Sequence, residues 1–198
     1  MSRKRGTSSA GAATHAAATP ATLATPPPPS DRPASSSPAV PGLGLAVQYG
    51  TDAPELPRWK LRRWARRAVE YAGAQESPPA HMPPFRRVEL TLRLVDAPEG
   101  LALNRDYRGR DYATNVLTFE YGVDPEGTAG GDIVLCVPVL RREAADQGKP
   151  LAAHAAHLVV HGVLHALGYD HLEEDEARDM EALETRILAG LRIPDPYL

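Results

Sequence analysis

The sequence predicts an α+β fold on three observations. Strand-like segments come mainly before the long helices, the helices carry apolar residues at helical spacing, and no internal repeat is present. These elements occupy only part of the 198 residues. Residues 1–50 are mostly Ala, Pro, Ser, Thr and Gly, with no aromatic residue before Tyr49. Such a stretch cannot bury enough surface to offset the entropy of ordering it. The expectation is a disordered Ala/Pro/Ser-rich extension over 1–48 and one domain over 49–198.

Within the domain, Pro57 can open a helix over 58–72. Leu61, Trp64, Ala65, Ala68 and Ala72 recur at helical spacing and face the core, while Arg58, Lys60, Arg62, Arg63, Arg66 and Arg67 cover the remaining surface. Residues 87–95 alternate apolar and polar, as a half-buried strand does. A short helix fits 99–107, a strand 115–121, a Gly-rich turn 125–131 and a buried strand 132–137. Pro138 and Pro150 each start a helix, the second running to Leu167 and stopped by Gly168. A last helix spans 173–190 with an apolar stripe of Ala177, Met180, Leu183, Ile187 and Leu188, and acidic residues in its first turn suit the positive end of the helix dipole.

Charge and cysteine usage restrict the function. The chain nets −3; residues 1–50 hold Arg3, Lys4, Arg5 and Arg32 against Asp31, a net of +3, which leaves −6 on residues 51–198. Overall basicity therefore gives no argument for nucleic-acid binding, and any such contact must come from local patches. Cys136 is the only cysteine, so no intrachain disulfide forms and a reducing compartment is the simplest reading. No apolar run approaches the ~20 residues a membrane span needs. The first 30 residues lack acidic groups and begin with a basic cluster, as transit peptides do, but a Pro run at 26–29 and the absence of a basic helical face favour a plain disordered extension over a transit peptide.

The strongest chemical signal is H-G-V-L-H-A-L-G-Y-D-H over residues 161–171. Residues four apart on a helix share a face, so His161 and His165 can reach one metal. Gly168 can take a positive φ, end the helix and let the chain present His171 from outside it. Three protein ligands leave a fourth position for water, the pattern of a catalytic zinc, whose bound water becomes a source of hydroxide near neutral pH. Metalloproteases share this histidine spacing but carry a general-base Glu after the first His. Here that position is Gly162, which argues against peptide hydrolysis by that route.

These residues resemble the signature of the YbeY family of bacterial endoribonucleases. The resemblance continues in L-N-R-D-Y-R-G-R-D-Y-A-T-N-V-L-T-F over 103–119, in G-D-I-V-L over 131–135, in Q-G-K-P-L-A-A-H-A-A-H over 147–157 and in Glu181-Ala-Leu-Glu184, and it covers roughly residues 87–198. Thr118 departs from the Ser more usual in the family. The resemblance implies a zincin-like fold, a small mixed β-sheet packed with helices, with one Zn2+ on the central helix at His161, His165 and His171. It implies cleavage of single-stranded RNA in small-subunit rRNA 3′-end maturation and ribosome quality control, with the ribosomal small subunit as partner and no DNA substrate. It also singles out Arg108 beside the metal, where a guanidinium can stabilise the charge of a phosphodiester transition state.

Other candidates rest on position. His157 and His154 precede His161 by one and two turns and could relay a proton or only line the pocket. Asp132 and Asp170 are candidates for orienting a ligand histidine through its second nitrogen. Arg105, Arg108 and Arg110, interleaved with Tyr107 and Tyr112, suit single-stranded RNA, and the basic helix at 58–67 either extends that track or is a solvated face. The competing readings are another zinc hydrolase and a ribosome-assembly or RNA-binding factor with a structural zinc.

Overall fold

The computed structural model describes residues 40–198 apart from 77, 80, 81, 171 and 172. Its first strand, β1 (Gly42–Tyr49), runs through residues assigned above to the extension. The composition of 1–50 hid a two-residue alternation in which Leu43, Leu45 and Val47 point inward, with Leu45 and Val47 buried. A strand carrying Gly42, Gly44 and Ala46 is stabilised by its partner, and β1 pairs in parallel with β2 (Arg87–Val95) along its whole length.

Between them lies α1 (Arg58–Gly73), whose predicted core stripe is buried, with Val69 added. Helix α2 (Ala97–Arg108) begins earlier than expected, because the Asp96 side chain accepts the Glu99 N–H at 2.9 Å and caps it. It ends at Gly109, whose φ of 66° turns the chain sharply. Strands β3 (Val116–Val123) and β4 (Thr128–Cys136) form an antiparallel hairpin, and β4 pairs in parallel with β2. The sheet order is β1-β2-β4-β3.

The predicted glycine-rich turn is only half a turn: Thr128 to Gly131 belong to β4. A Cβ on Gly131 would lie 2.8 Å from the Phe119 carbonyl oxygen and 2.9 Å from Ala166 Cβ. The glycine is there so that a helix can lie close against the strand, not to bend the chain. That helix is α4 (Leu151–Ala166), which packs on β3 and β4 and against α1, α3 (Val137–Asp146) and α5 (Glu174–Gly190).

The main core fills the space between the sheet and α1, α4 and α5. A smaller cluster of Val95, Leu117, Val134, Cys136 and Val139 is joined by partly buried residues of α2. The architecture is the expected α+β one, with four strands and five helices among the described residues. No helix among them is long and apolar enough to cross a membrane.

Candidate metal centre and cleft

Helix α4 is apolar almost all round, and its partly exposed histidines are therefore conspicuous. It ends as the sequence anticipates. Gly168 has a φ of 77°, its N–H bonds the His165 carbonyl at 3.0 Å, and the Tyr169 N–H bonds the Leu164 carbonyl at 3.0 Å. This crossed pair of bonds closes the helix and sends the chain back over its own last turn. His161 and His165 stand one turn apart with ring centroids 4.5 Å from each other. His171 lies outside the described residues.

Both histidines line an open cleft of about 810 Å³. Its other walls are the edge strand β3, the loop from Arg110 to Asn115, and the turn with Tyr169 and Asp170. Arg108 and Arg110 flank the positive-φ turn at Gly109, and both reach the cleft lining. The loop is tied at both ends. Asn104 donates to the Tyr112 carbonyl at 2.7 Å, and Asn115 donates to Glu143 at 3.0 Å.

The floor of the cleft rests on a residue that sequence reasoning did not single out as part of the site. Glu184 of α5 is fully buried. Its Oε1 lies 2.8 Å from His161 Nδ1, its Oε2 lies 3.1 Å from His157 Nε2, and Oε2 also accepts the Tyr197 hydroxyl. Burial by itself would raise the Glu184 pKa, but these three hydrogen bonds outweigh it and hold the carboxyl down at about 2. Ionised Glu184 can only accept, so the proton of His161 sits on Nδ1 and that of His157 on Nε2. Burial and the Glu184 bond push the Tyr197 hydroxyl well above the usual phenol range, so Tyr197 remains a donor.

That tautomer matches what a metal needs, since a neutral imidazole with its proton on Nδ1 carries its lone pair on Nε2. The donor set therefore fits a divalent ion. His157, His161 and Glu184 also offer ligand atoms all within 4.8 Å of one another, a group that could itself hold a metal ion.

The matched region points to one family. The model for Endoribonuclease YbeY matches residues 47–192. This chain belongs to the YbeY family. The Endoribonuclease YbeY of Bordetella avium (strain 197N) is 62% identical over 158 residues, covering 80% of this chain and 95% of that protein. The one from Bordetella petrii is 65% identical over 157 residues, covering 79% and 98%. The one from Paraburkholderia phytofirmans is 63% identical over 164 residues, covering 80% and 97%. The zincin-like α+β fold expected from the YbeY resemblance is thus the fold of this chain.

The remaining candidates sit around this centre in different ways, with the His157 ring 6.2 Å from that of His161. His157 is bound to Glu184 and lines a second cavity of about 370 Å³ beside the C-terminal tail, not the cleft. His154 lines that cavity too, with Nε2 2.9 Å from Glu143. Helical spacing alone puts both near the metal face; the packing of α3 and α5 on α4 supplies the carboxylates that take them. Asp132 accepts the Tyr121 hydroxyl at 2.7 Å, so this bond gives no support to a role in orienting a histidine. Arg105 pairs with Asp106 at 3.5 Å and is absent from the cleft lining, whereas Asp170 is in it.

Gly162 also has a structural reason. A Cβ there would lie 2.8 Å from Ile133 Cγ2 and 3.3 Å from Thr118 Oγ1. The side of α4 on which a protease carries its general base is here pressed against the sheet, with no room for a carboxylate. Glu184 itself had a signal in the sequence. With Met180, Leu183, Ile187 and Leu188 it completes the buried stripe of α5, and a charged residue on a buried face implies a partner.

Proposed function

We propose that this chain, a member of a family named for endoribonuclease activity, is a single-strand-specific, metal-dependent endoribonuclease acting in the bacterial cytoplasm on ribosomal RNA, at the small-subunit 3′ end and in ribosome quality control. The observation that carries this reading is the Glu184–His161 contact at the floor of an open cleft flanked by Arg108 and Arg110. One Zn2+ would be held by His161, His165 and His171, with Glu184 as the anchor behind His161. The alternative group containing His157 and Glu184 is less suited, because both of these already satisfy each other inside the protein and His157 opens on the other cavity. When bound, the ion supplies Lewis acidity and makes a nearby water more acidic.

The chain's own residues do the rest. Arg108 and Arg110, both exposed, offer forked donors to a phosphodiester and oppose the charge that builds on it as the P–O bond breaks. Tyr112 is exposed on the cleft wall and presents a ring on which an unpaired base can stack. Edge strand β3 forms the opposite wall. The test is cleavage of single-stranded against duplex RNA by metal-loaded protein, beside Arg108→Ala and His165→Ala. The reading expects cleavage of single strands only, lost in both variants while Arg108→Ala stays folded and metal-loaded. A folded, metal-loaded protein that cuts neither RNA sinks it in favour of an assembly factor with a structural zinc.

A further inference from the structure

The outward face of α1 is a cationic surface that the cleft does not use. At 100° per residue, Trp59, Arg62, Arg63 and Arg66 fall within about 100° of the helix circumference, opposite the buried stripe of Leu61, Trp64, Ala65, Ala68, Val69 and Ala72. They cover about 10 Å along the axis. All four are exposed, and Trp59 keeps 61% of its surface in solvent. Six basic residues in this helix stand against one acidic residue, Glu70, and Glu70 is taken by Arg67 at 3.2 Å. Arg62, Arg63 and Arg66 have no ion-pair partner among the described residues. No α1 residue lines the cleft.

Arg58, Lys60 and Arg67 serve the fold, through the Val47 carbonyl and Tyr49 ring, the Glu55 carbonyl, and Glu70 with the Tyr71 ring, but no such contact engages Arg62, Arg63 or Arg66 among the described residues. The first turn of α1 has no acidic residue, so Arg58 and Lys60 face the positive end of the helix dipole. Arg58 and Arg62, Arg62 and Arg66, and Arg63 and Arg67 are like-charged pairs four residues apart, which repel. Burying the indole of Trp59 would stabilise the protein, yet the indole stays in water with Lys60 Nζ 5.7 Å from its ring centre. A row of unneutralised guanidiniums beside an open aromatic ring, on a domain that is otherwise acidic, is complementary to a polyanion that also has flat bases.

We infer that α1 is a second RNA-docking face, in which Arg62, Arg63 and Arg66 bind phosphates of a single-stranded segment outside the cleft and Trp59 stacks on one of its bases. The inference rests on the reading of the protein as an RNA enzyme. It adds that long RNA is held at two places and that a fragment filling only the cleft is held at one. An acidic protein would satisfy the arginines but leaves the exposed indole without a role, which is why RNA is preferred.

The experiment uses the full chain with chelator present, so that binding is read without cleavage, and a long single-stranded RNA as probe across a salt series. The variants are Arg62→Glu/Arg66→Glu and Trp59→Ala, with circular dichroism to confirm the fold. The charge reversal is expected to weaken long-RNA binding and to flatten the log–log salt slope by about 1.4, at roughly 0.7 per phosphate contact for single strands. Trp59→Ala is expected to lose about ten-fold. With metal restored, both variants should cut a short oligonucleotide at the parent rate. Unchanged affinity and slope in the charge-reversed protein overturn the inference, as does equally tight binding of polyglutamate. Failure of the nuclease reading shows separately, as long RNA bound through α1 with no cleavage of either substrate.

Discussion

His161 Nδ1 lies 2.8 Å from Oε1 of the buried Glu184, a contact between the fourth and fifth helices that fixes which nitrogen of His161 faces the cleft. Replacing a carboxylate behind a metal-bound histidine typically costs 10- to 100-fold in metal affinity. Glu184→Gln keeps the shape and loses the charge, so its metal Kd, measured by competition with a chromogenic chelator, should rise by about that factor. Glu184→Ala also leaves two imidazoles and the Tyr197 hydroxyl without their acceptor, and at about 1 kcal/mol for each lost hydrogen bond it should destabilise the fold by about 3 kcal/mol in denaturant titration. A Glu184→Gln protein that binds metal like the parent would remove Glu184 from the site.

Arg108 is exposed and no core residue depends on it, so its loss should appear in rate and not in stability. Arg108→Ala should lower kcat on single-stranded RNA by about 10²- to 10³-fold, the usual effect of removing one donor to a developing charge, with an unchanged Tm. Arg105, paired with Asp106 outside the cleft, is the control, and Arg105→Ala should cleave near the parent rate. Equal losses in the two variants would mean that only bulk charge matters.

Gly162 is held by space. Gly162→Ala puts a methyl group 2.8 Å from Ile133, and overpacking costs about 1–3 kcal/mol against the ~1 kcal/mol that Ala gains in a helix. The variant should melt lower than the parent, and Gly162→Glu lower still, without acquiring peptidase activity. A raised Tm for Gly162→Ala would show that the α4–β4 contact is looser than the structure gives.

Cys136 is buried at the end of β4, and burial pushes its thiol pKa up. A raised folded-state pKa gives stability that is present below the unfolded thiol pKa of about 8.5 and is lost as pH rises through the folded value. The native protein should resist iodoacetamide at pH 8 and react once unfolded. The stability difference between the parent and Cys136→Ser should shrink from pH 8 upward. Rapid alkylation of the native protein would contradict the burial.

Much of this was readable from the chain. The strand at 87–95, the core stripe of α1 and the glycine stop after α4 are local patterns, and each appears where periodicity or turn chemistry puts it. What escaped depended on contacts distant in sequence. Strand β1 exists because β2 pairs with it, and its small residues look like linker until that partner is known. His157 and His154 share the helical face of His161, but the carboxylates that engage them come from α5 and α3. Tyr197 is a C-terminal residue with no pattern around it, and only the folded tail brings its hydroxyl to Glu184.

The most direct test of the central claim is metal stoichiometry of the purified protein beside His165→Ala and His157→Ala. The cleft site predicts one ion per chain in the parent, its loss in His165→Ala, and its retention in His157→Ala. Retention in His165→Ala with loss in His157→Ala would put the ion between His157, His161 and Glu184 and contradict the account.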